Sequence, residues 1–234
     1  MIKLIIFDLD DTITDNRYLD FESFNSTCIF LNVVNPLTLK KLLILRKNKK
    51  TAKNIVKLIK NSTSVDFLED EFLEYRKNFL VSNKANNFLI LKSGTLETLK
   101  MIHTKKIPIC LCTVRKNKQI VINFLKQQKI EKYFNKIFST IDIDRKIDNS
   151  ISENRILLKS SFLKKFIQKY PFKSSEILYV GNSNEDFISA SEHNMVFLKY
   201  DNEYLPKEQN NYPYFANNME KVNKIISKLI VEHD

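Results

Sequence analysis

Two glycines, no tryptophan and only three cysteines occur in the 234 residues of the chain. Where glycine is this scarce, Gly94 and Gly181 each answer a specific backbone demand. An odd number of cysteines, with Cys110 and Cys112 inside one apolar run, argues against a disulfide framework or a thiolate metal set. It favours reduced core thiols in a cytoplasmic protein. No stretch approaches the roughly 20 apolar residues of a membrane span, and Leu4 to Phe7 is too short for the core of a signal peptide. His103, His193 and His233 are scattered without ligand spacing. Acidic residues are the scarcer charge, 27 against 38 Lys and Arg, which leaves a net charge of +11. Such an excess ordinarily suggests an anionic macromolecule. Here no zinc spacing, stacking motif or Arg-rich helix goes with it, and the crowding of Lys, Asn and Ile has the look of biased codon usage, so nucleic-acid binding is not expected.

What is present begins at the amino terminus. Ile2 to Phe7 is a run of large and β-branched apolar residues, the pattern of a strand buried on both faces of a parallel sheet. It ends on Asp8 and Asp10, at the carboxyl end where open α/β sheets bind ligands. Two carboxylates this close repel unless a cation or a shared proton intervenes. One then serves as an ionised nucleophile while its neighbour acts as general acid and base. Taken alone, Asp-x-Asp is more often a turn or capping cluster; the strand before it and three matches downstream reverse that balance.

With 43% hydrophobic residues the chain can bury one large domain, or a core domain with an insertion. From Asp15 to Phe88 the pattern is helical and charged: Tyr18, Phe21, Phe24 and Cys28 form one stripe, Leu68, Phe72, Tyr75 and Phe79 another. Asn35-Pro36 opens the helix between them. Residues 36–60 hold nine basic side chains and no acidic one, a solvated face in the simpler reading and an attractor of anionic substrates in the other. Arg17, Tyr18, Arg46 and Arg76 are candidate substrate contacts from this segment.

After it, helices over 95–104, 117–128, 159–169 and 219–231 alternate with strands at 107–112, 137–139, 177–180 and 196–198. Residues 142–154 read as a polar loop. The alternation means α/β, a doubly wound parallel sheet of five or more strands, with residues 1–14 and 89–234 as core and 15–88 as a helical insertion.

Parallel topology brings four polar strand or helix ends to one rim: Asp8 with Asp10, Thr113, Lys159, and Asn182 with Asp186. In this order the residues resemble the motifs of the haloacid dehalogenase superfamily, most closely its phosphoglycolate phosphatase-like members with a helical cap after the first motif. Asp8-Leu-Asp10-Asp11-Thr12 resembles the first motif, Thr113 the second, Lys159 the third, and Gly181 to Asp186 the fourth. The resemblance implies a Rossmann-like core and a phosphatase in which Asp8 attacks phosphorus, Asp10 is acid and base, and Thr113 and Lys159 hold the phosphoryl group. It also implies Mg²⁺ on Asp8, Asp10, Asn182 and Asp186, although Asn182 stands where the family commonly has Asp. Arg115 is a candidate substrate-binding residue or a surface residue at a helix entry. Lys164 and Lys165 compete with Lys159 for the third motif.

Other readings remain open. A dehalogenase or carbon–phosphorus hydrolase has no need of Asp10, whereas a phosphosugar mutase keeps both carboxylates. A catalytically weakened member that binds a phosphorylated ligand is a different class, motivated by Asn182 and the basic helices. A receiver domain leaves no room for the insertion. The expected partner is a small phosphorylated metabolite, with no membrane.

Overall fold

A computed structural model describes residues 1–139, 152–202, 204–205 and 212–231. The three strands at its centre are the most apolar segments of the sequence: β1 (Leu4–Asp8), and two others introduced below, have all five residues buried. Strands lined on both sides by Leu, Ile, Phe and Val can sit only inside a parallel sheet covered on both faces.

In chain order, β1 leads through a wide turn to β2 (Thr14–Asp15), then to α1 (Arg17–Phe30), α2 (Leu39–Lys47), α3 (Ala52–Lys60) and α4 (Glu69–Leu80), and returns along β3 (Ile90–Leu91). Then come α5 (Thr95–Thr104), β4 (Ile109–Thr113), α6 (Lys118–Gln127), β5 (Lys136–Ser139), α7 (Ser152–Ile167), β6 (Ile177–Gly181), α8 (Asn184–Ser191), β7 (Val196–Tyr200), β8 (Tyr214–Ala216) and α9 (Met219–Val231). Six strands form one sheet in the order β5-β4-β1-β6-β7-β8, and the paired strands run parallel. From β1 the chain winds outward through β4 and β5, then returns to the other side of β1 for β6, β7 and β8. The strand order therefore reverses at β1, and the carboxyl ends of β1, β4 and β6 flank the reversal point where open α/β sheets bind ligands.

The chain divides into two compact units. One comprises Met1–Thr14, Leu91–Asn202 and the described residues after 208; the other comprises Asp15–Ile90 with residues 204–205. Each has its own core. In the sheet unit, alternate residues of neighbouring strands (Leu4, Ile6, Cys110, Cys112, Ile177, Tyr179) pack against Phe162, Leu163 and Phe166 of α7. In the helical unit, Phe24, Leu42, Ile55, Val56, Ile59 and Phe72 fill the space between α1, α2, α3 and α4. Burial pushes the thiols up, Cys28 to about 11 and, against the opposing pull of Lys136 and Lys159, Cys110 and Cys112 to about 12, so all three free cysteines are inert core residues.

The two glycines are used differently. Gly94 caps α5 at φ 83°, a left-handed conformation that side chains disfavour. At Gly181 the demand is close approach, since a Cβ there would lie 2.6 Å from Cβ and Cγ of Asp186.

Several elements differ from the sequence expectation. The helix expected to open at Lys159 begins at Ser152, so Lys159 lies in mid-helix and 152–154 are helical rather than loop. The rest of that expected loop lies outside the described residues. Strand β8 and the short pair β2 and β3 were not expected: each has two or three residues, too few to show a period.

Candidate active site

Along β1 the side chains of Leu4 and Ile6 face α7, and the period of two carries Asp8 to the same side. On α7 the inward stripe of Phe162, Leu163 and Phe166 continues backward by three residues to Lys159. The two periodicities thus bring a lysine onto a carboxylate 151 residues away: Lys159 Nζ donates to Asp8 Oδ1 at 3.1 Å, both side chains being about 5% exposed. This pairing identifies Lys159, rather than Lys164 or Lys165, as the lysine at the end of β1.

Lys159 is held from behind. Its ammonium also donates to Asp186 Oδ1, which accepts from the Tyr179 hydroxyl at 3.2 Å. Asp186 Oδ2 accepts from the backbone N–H groups of Asn182 (3.1 Å) and Ser183 (2.9 Å) and from Ser183 Oγ (2.7 Å). Ser183 caps α8 in return, its Oγ accepting from the Asp186 N–H, a capping box with aspartate as the third residue of the helix. Fully buried, Asp186 accepts on both oxygens, from Lys159 and Tyr179 on Oδ1 and from Asn182 and Ser183 on Oδ2, and so orients the Lys159 ammonium.

One ammonium between two buried carboxylates cannot satisfy both. Burial works to raise Asp186, but Lys159 and Ser183 outweigh it and hold its pKa below the ordinary value. For Asp8 burial prevails, and with the nearby charges of Asp186 and Asp10 it drives the pKa well above the usual carboxylate range despite Lys159. Burial also opposes the charge on Lys159, yet the Asp186 and Asp8 carboxylates more than offset it and raise its pKa.

The turn after β1 is irregular. Asp10 is extended (φ −71°, ψ 123°) and Asp11 left-handed (φ 58°, ψ 9°), a conformation aspartate tolerates better than most residues. Asp10 lies against Arg115, whose Nη2 donates to Oδ1 at 2.6 Å and whose Nε lies 3.0 Å from both oxygens. Arg115, a candidate substrate contact in the sequence, thus rests on the second carboxylate. Its backbone N–H donates to Thr113 Oγ1 at 3.2 Å. Thr113 ends β4, one residue past the point where Cys112 pairs with Asp8, and lines a small cavity with Lys159 and Leu158.

Asn182 follows β6 directly. The Thr12 hydroxyl lies between the first and fourth motifs, 3.2 Å from Asp8 Oδ2 and 3.4 Å from Asn182 Oδ1. All the sequence candidates of the sheet unit therefore fall into two linked groups, one around Asp8 and Lys159, the other around Asp10 and Arg115. Of the candidates in the helical unit, Arg46 and Arg76 both donate to Asp20 and Arg17 to Asp15, while Tyr18 is exposed. Sequence reasoning missed Thr12, Tyr179 and Ser183. A signal existed for two of them, the capping-box spacing from Ser183 to Asp186 and the place of Tyr179 on the alternating face that carries Asp8.

Comparison with known proteins bears on the fold and on the family. Solved structures similar in fold include a predicted phosphoglycolate phosphatase from Haemophilus somnus, 18% identical with a TM-score of 0.70 over 96% of this chain and 98% of that one. A haloacid dehalogenase-superfamily hydrolase of subfamily IA from Geobacter sulfurreducens is 15% identical, with a TM-score of 0.68 over 97% and 96%. CbbY from Rhodobacter sphaeroides, solved in complex with phosphate, is 14% identical, with a TM-score of 0.62 over 94% and 95%. At these identities the likeness is one of fold. No curated protein gives a significant match. The sequence profile of the haloacid dehalogenase-like hydrolases, however, matches residues 5–199. That span runs from β1 to β7 and takes in every residue of the two linked groups, so the chain belongs to the haloacid dehalogenase-like hydrolase family.

Proposed function

We propose that this hydrolase is a Mg²⁺-dependent phosphatase that releases phosphate from a small phosphomonoester through an aspartyl-phosphate on Asp8. The observation that carries the reading is the buried Asp8–Lys159–Asp186 row at the strand-order reversal, with a second carboxylate, Asp10, two residues beyond the first.

In this reading Asp8 attacks phosphorus and Lys159 offsets the charge that would otherwise keep two anions apart. The Thr113 hydroxyl donates to a non-bridging phosphoryl oxygen. Asp10 protonates the leaving alcohol and later takes a proton from the hydrolytic water. Paired with Arg115, Asp10 stands as an acceptor, set for the second of those steps; a substrate phosphate that draws on the guanidinium frees it for the first. Choice of leaving group falls to the helical insertion, the cap of the sequence reading.

The oxygens near Asp8 can be tested against a divalent cation. Among the described residues no three His, Cys, Asp or Glu side chains gather as a metal set. What does meet is a carboxylate and an amide oxygen on either side of the Thr12 hydroxyl. One charged and one uncharged oxygen are the hard donors that a divalent cation such as Mg²⁺ takes, and with one of them uncharged the affinity is modest. The Asp8 carboxylate, the Asp10 carbonyl and the Asn182 side-chain oxygen would hold it, and when bound Mg²⁺ neutralises phosphoryl oxygens and orients them for in-line attack.

A phosphate-release screen over aryl phosphate and a panel of metabolite phosphates, with and without Mg²⁺, tests the reading. Wild type should turn over at least one substrate, and Asp8→Asn should lose at least about 10³-fold in turnover while staying folded. Retention of activity in Asp8→Asn would refute it. Two observations favour a second reading, ligand binding with little turnover: the hold of Arg115 on Asp10, and an uncharged residue at 182. Saturable binding of phosphate esters without release in the same screen would select it. Transfer of label between positions of a sugar phosphate would instead reveal a mutase.

A further inference from the structure

Asn202 lies two residues beyond the end of β7 and only 4% of its surface is exposed. In the sheet β7 is separated from β1 by β6, yet the Asn202 side chain reaches the turn that follows β1: its Nδ2 donates to the Asp11 carbonyl oxygen at 2.7 Å. Its other end is fixed by Lys92, whose Nζ donates to Asn202 Oδ1 at 2.6 Å. A lysine only donates and a carbonyl only accepts, so the two partners together determine which way the amide points. Lys92 is tied to the same turn, because its backbone N–H donates to the Ile13 carbonyl at 3.0 Å. The Asp201 N–H donates to Ala216 at 2.8 Å, which anchors the chain just before Asn202 on β8. A closed loop of contacts results: from Asp11 along the backbone to Ile13, across to Lys92, along its side chain to Asn202, and back to Asp11. It grips the turn at Asp11, three residues after Asp8, and holds that left-handed residue in place next to Asp10.

We propose that Asn202, oriented by Lys92, is a positioning residue for proton transfer by Asp10. The inference rests on the phosphatase reading. Asp10 lies in no regular helix or strand: Arg115 holds its carboxylate from one side, and its backbone is set by the Asp11 peptide, which Asn202 and Lys92 hold from the other. Proton donation requires hydrogen-bond reach of the leaving oxygen, and a displacement of about 1 Å is enough to lose much of its benefit.

The test is the dependence on leaving group, which general loss of structure does not alter. Asn202→Asp keeps shape and the acceptor for Lys92 but turns an oxygen toward the Asp11 carbonyl. Phosphate release is measured from an alkyl phosphate, glycerol phosphate, whose departing alkoxide needs a proton, and from p-nitrophenyl phosphate, whose phenolate does not. For the alkyl ester kcat/KM, which reports the steps up to departure of the leaving group and not the later hydrolysis common to both esters, should fall about 100-fold, at the lower end of what a positioned acid contributes. The aryl ester should lose about tenfold less. Lys92→Met should show the same preference more weakly, and it carries the same discrimination if Asn202→Asp fails to fold. Equal losses on the two esters, or no loss, would overturn this inference alone. No release of phosphate from any ester by wild type would sink the phosphatase reading and take this inference with it.

Discussion

Three side chains share one problem at the end of β1: two buried carboxylates and a single ammonium. Asp186, with backbone and hydroxyl donors on one oxygen, takes the charge more comfortably, and Asp8 is left with a raised pKa and a poorly served oxygen. Removing the ammonium should be severe, because Lys159→Met leaves two carboxylates in the interior with no cation at close range. A loss of about 3–5 kcal/mol is expected, the range for breaking a buried pair from one side, read from the midpoint of urea unfolding. A loss below about 1 kcal/mol would mean that the row opens to water. At position 182 the expected change is a gain. Asn182→Asp adds one charged oxygen beside Thr12, and the dissociation constant for Mg²⁺ measured by calorimetry should fall by about tenfold, since affinity for hard cations rises with ligand charge. An unchanged constant would show that residue 182 takes no part in holding the ion.

Helices in the Asp15–Ile90 unit are joined by a charge cluster of their own. Asp20 on α1 accepts from Arg46 of α2 at 2.7 and 2.8 Å and from Arg76 of α4 at 2.7 Å, and both guanidinium groups lie over the ring of Phe24. Burial works to raise the Asp20 pKa, yet the two arginines outweigh it and hold it below the ordinary value. A lowered folded pKa contributes stability that is fully present above about pH 4 and is lost as pH falls through the folded value. Asp20→Asn should therefore cost about 2–3 kcal/mol at pH 7, somewhat below the range for fully buried pairs because the partners retain some exposure, and the gap from wild type should narrow at pH 3. A gap independent of pH would mean that packing, not charge, is what the substitution removes. The same level explains what could be read from sequence. The central strands were legible because each is an unbroken apolar run, whereas Lys159 rested on its resemblance to the third motif and had Lys164 and Lys165 as rivals on the same helix. The start of α7 was not, since residues before Asn154 carry no period, nor was β8, whose three residues follow a proline. Arg115 was visible as a residue but not as the partner of Asp10: which carboxylate an arginine meets is decided by how strands adjoin, and the sequence holds no local trace of that.

For the molecule as a whole, the directions of these shifts combine into one pH dependence. Asp8, raised when folded, keeps a proton that the unfolded chain gives up, so its effect is a loss of stability as pH rises from about 4 through its raised value, and no further change above it. Asp20 and Asp186, both lowered, act on the other side, their stabilisation being lost as pH drops below about 4. Without divalent ions the protein should thus be most stable in mildly acidic solution. In the proposed chemistry Mg²⁺ favours the ionised form of Asp8 and binds the folded chain alone, so it should raise the melting temperature more at pH 8 than at pH 5. With a net charge of +11, any salt also relieves self-repulsion, and the comparison must be made against NaCl of equal ionic strength. In Asp8→Asn both the alkaline decline and the Mg²⁺-specific gain should vanish together, because one carboxylate is responsible for both. If Mg²⁺ and matched NaCl raise the melting temperature equally at pH 8, the oxygens gathered at the end of β1 are not a cation site, and the metal part of the proposed chemistry falls while the Asp8–Lys159 pairing stands.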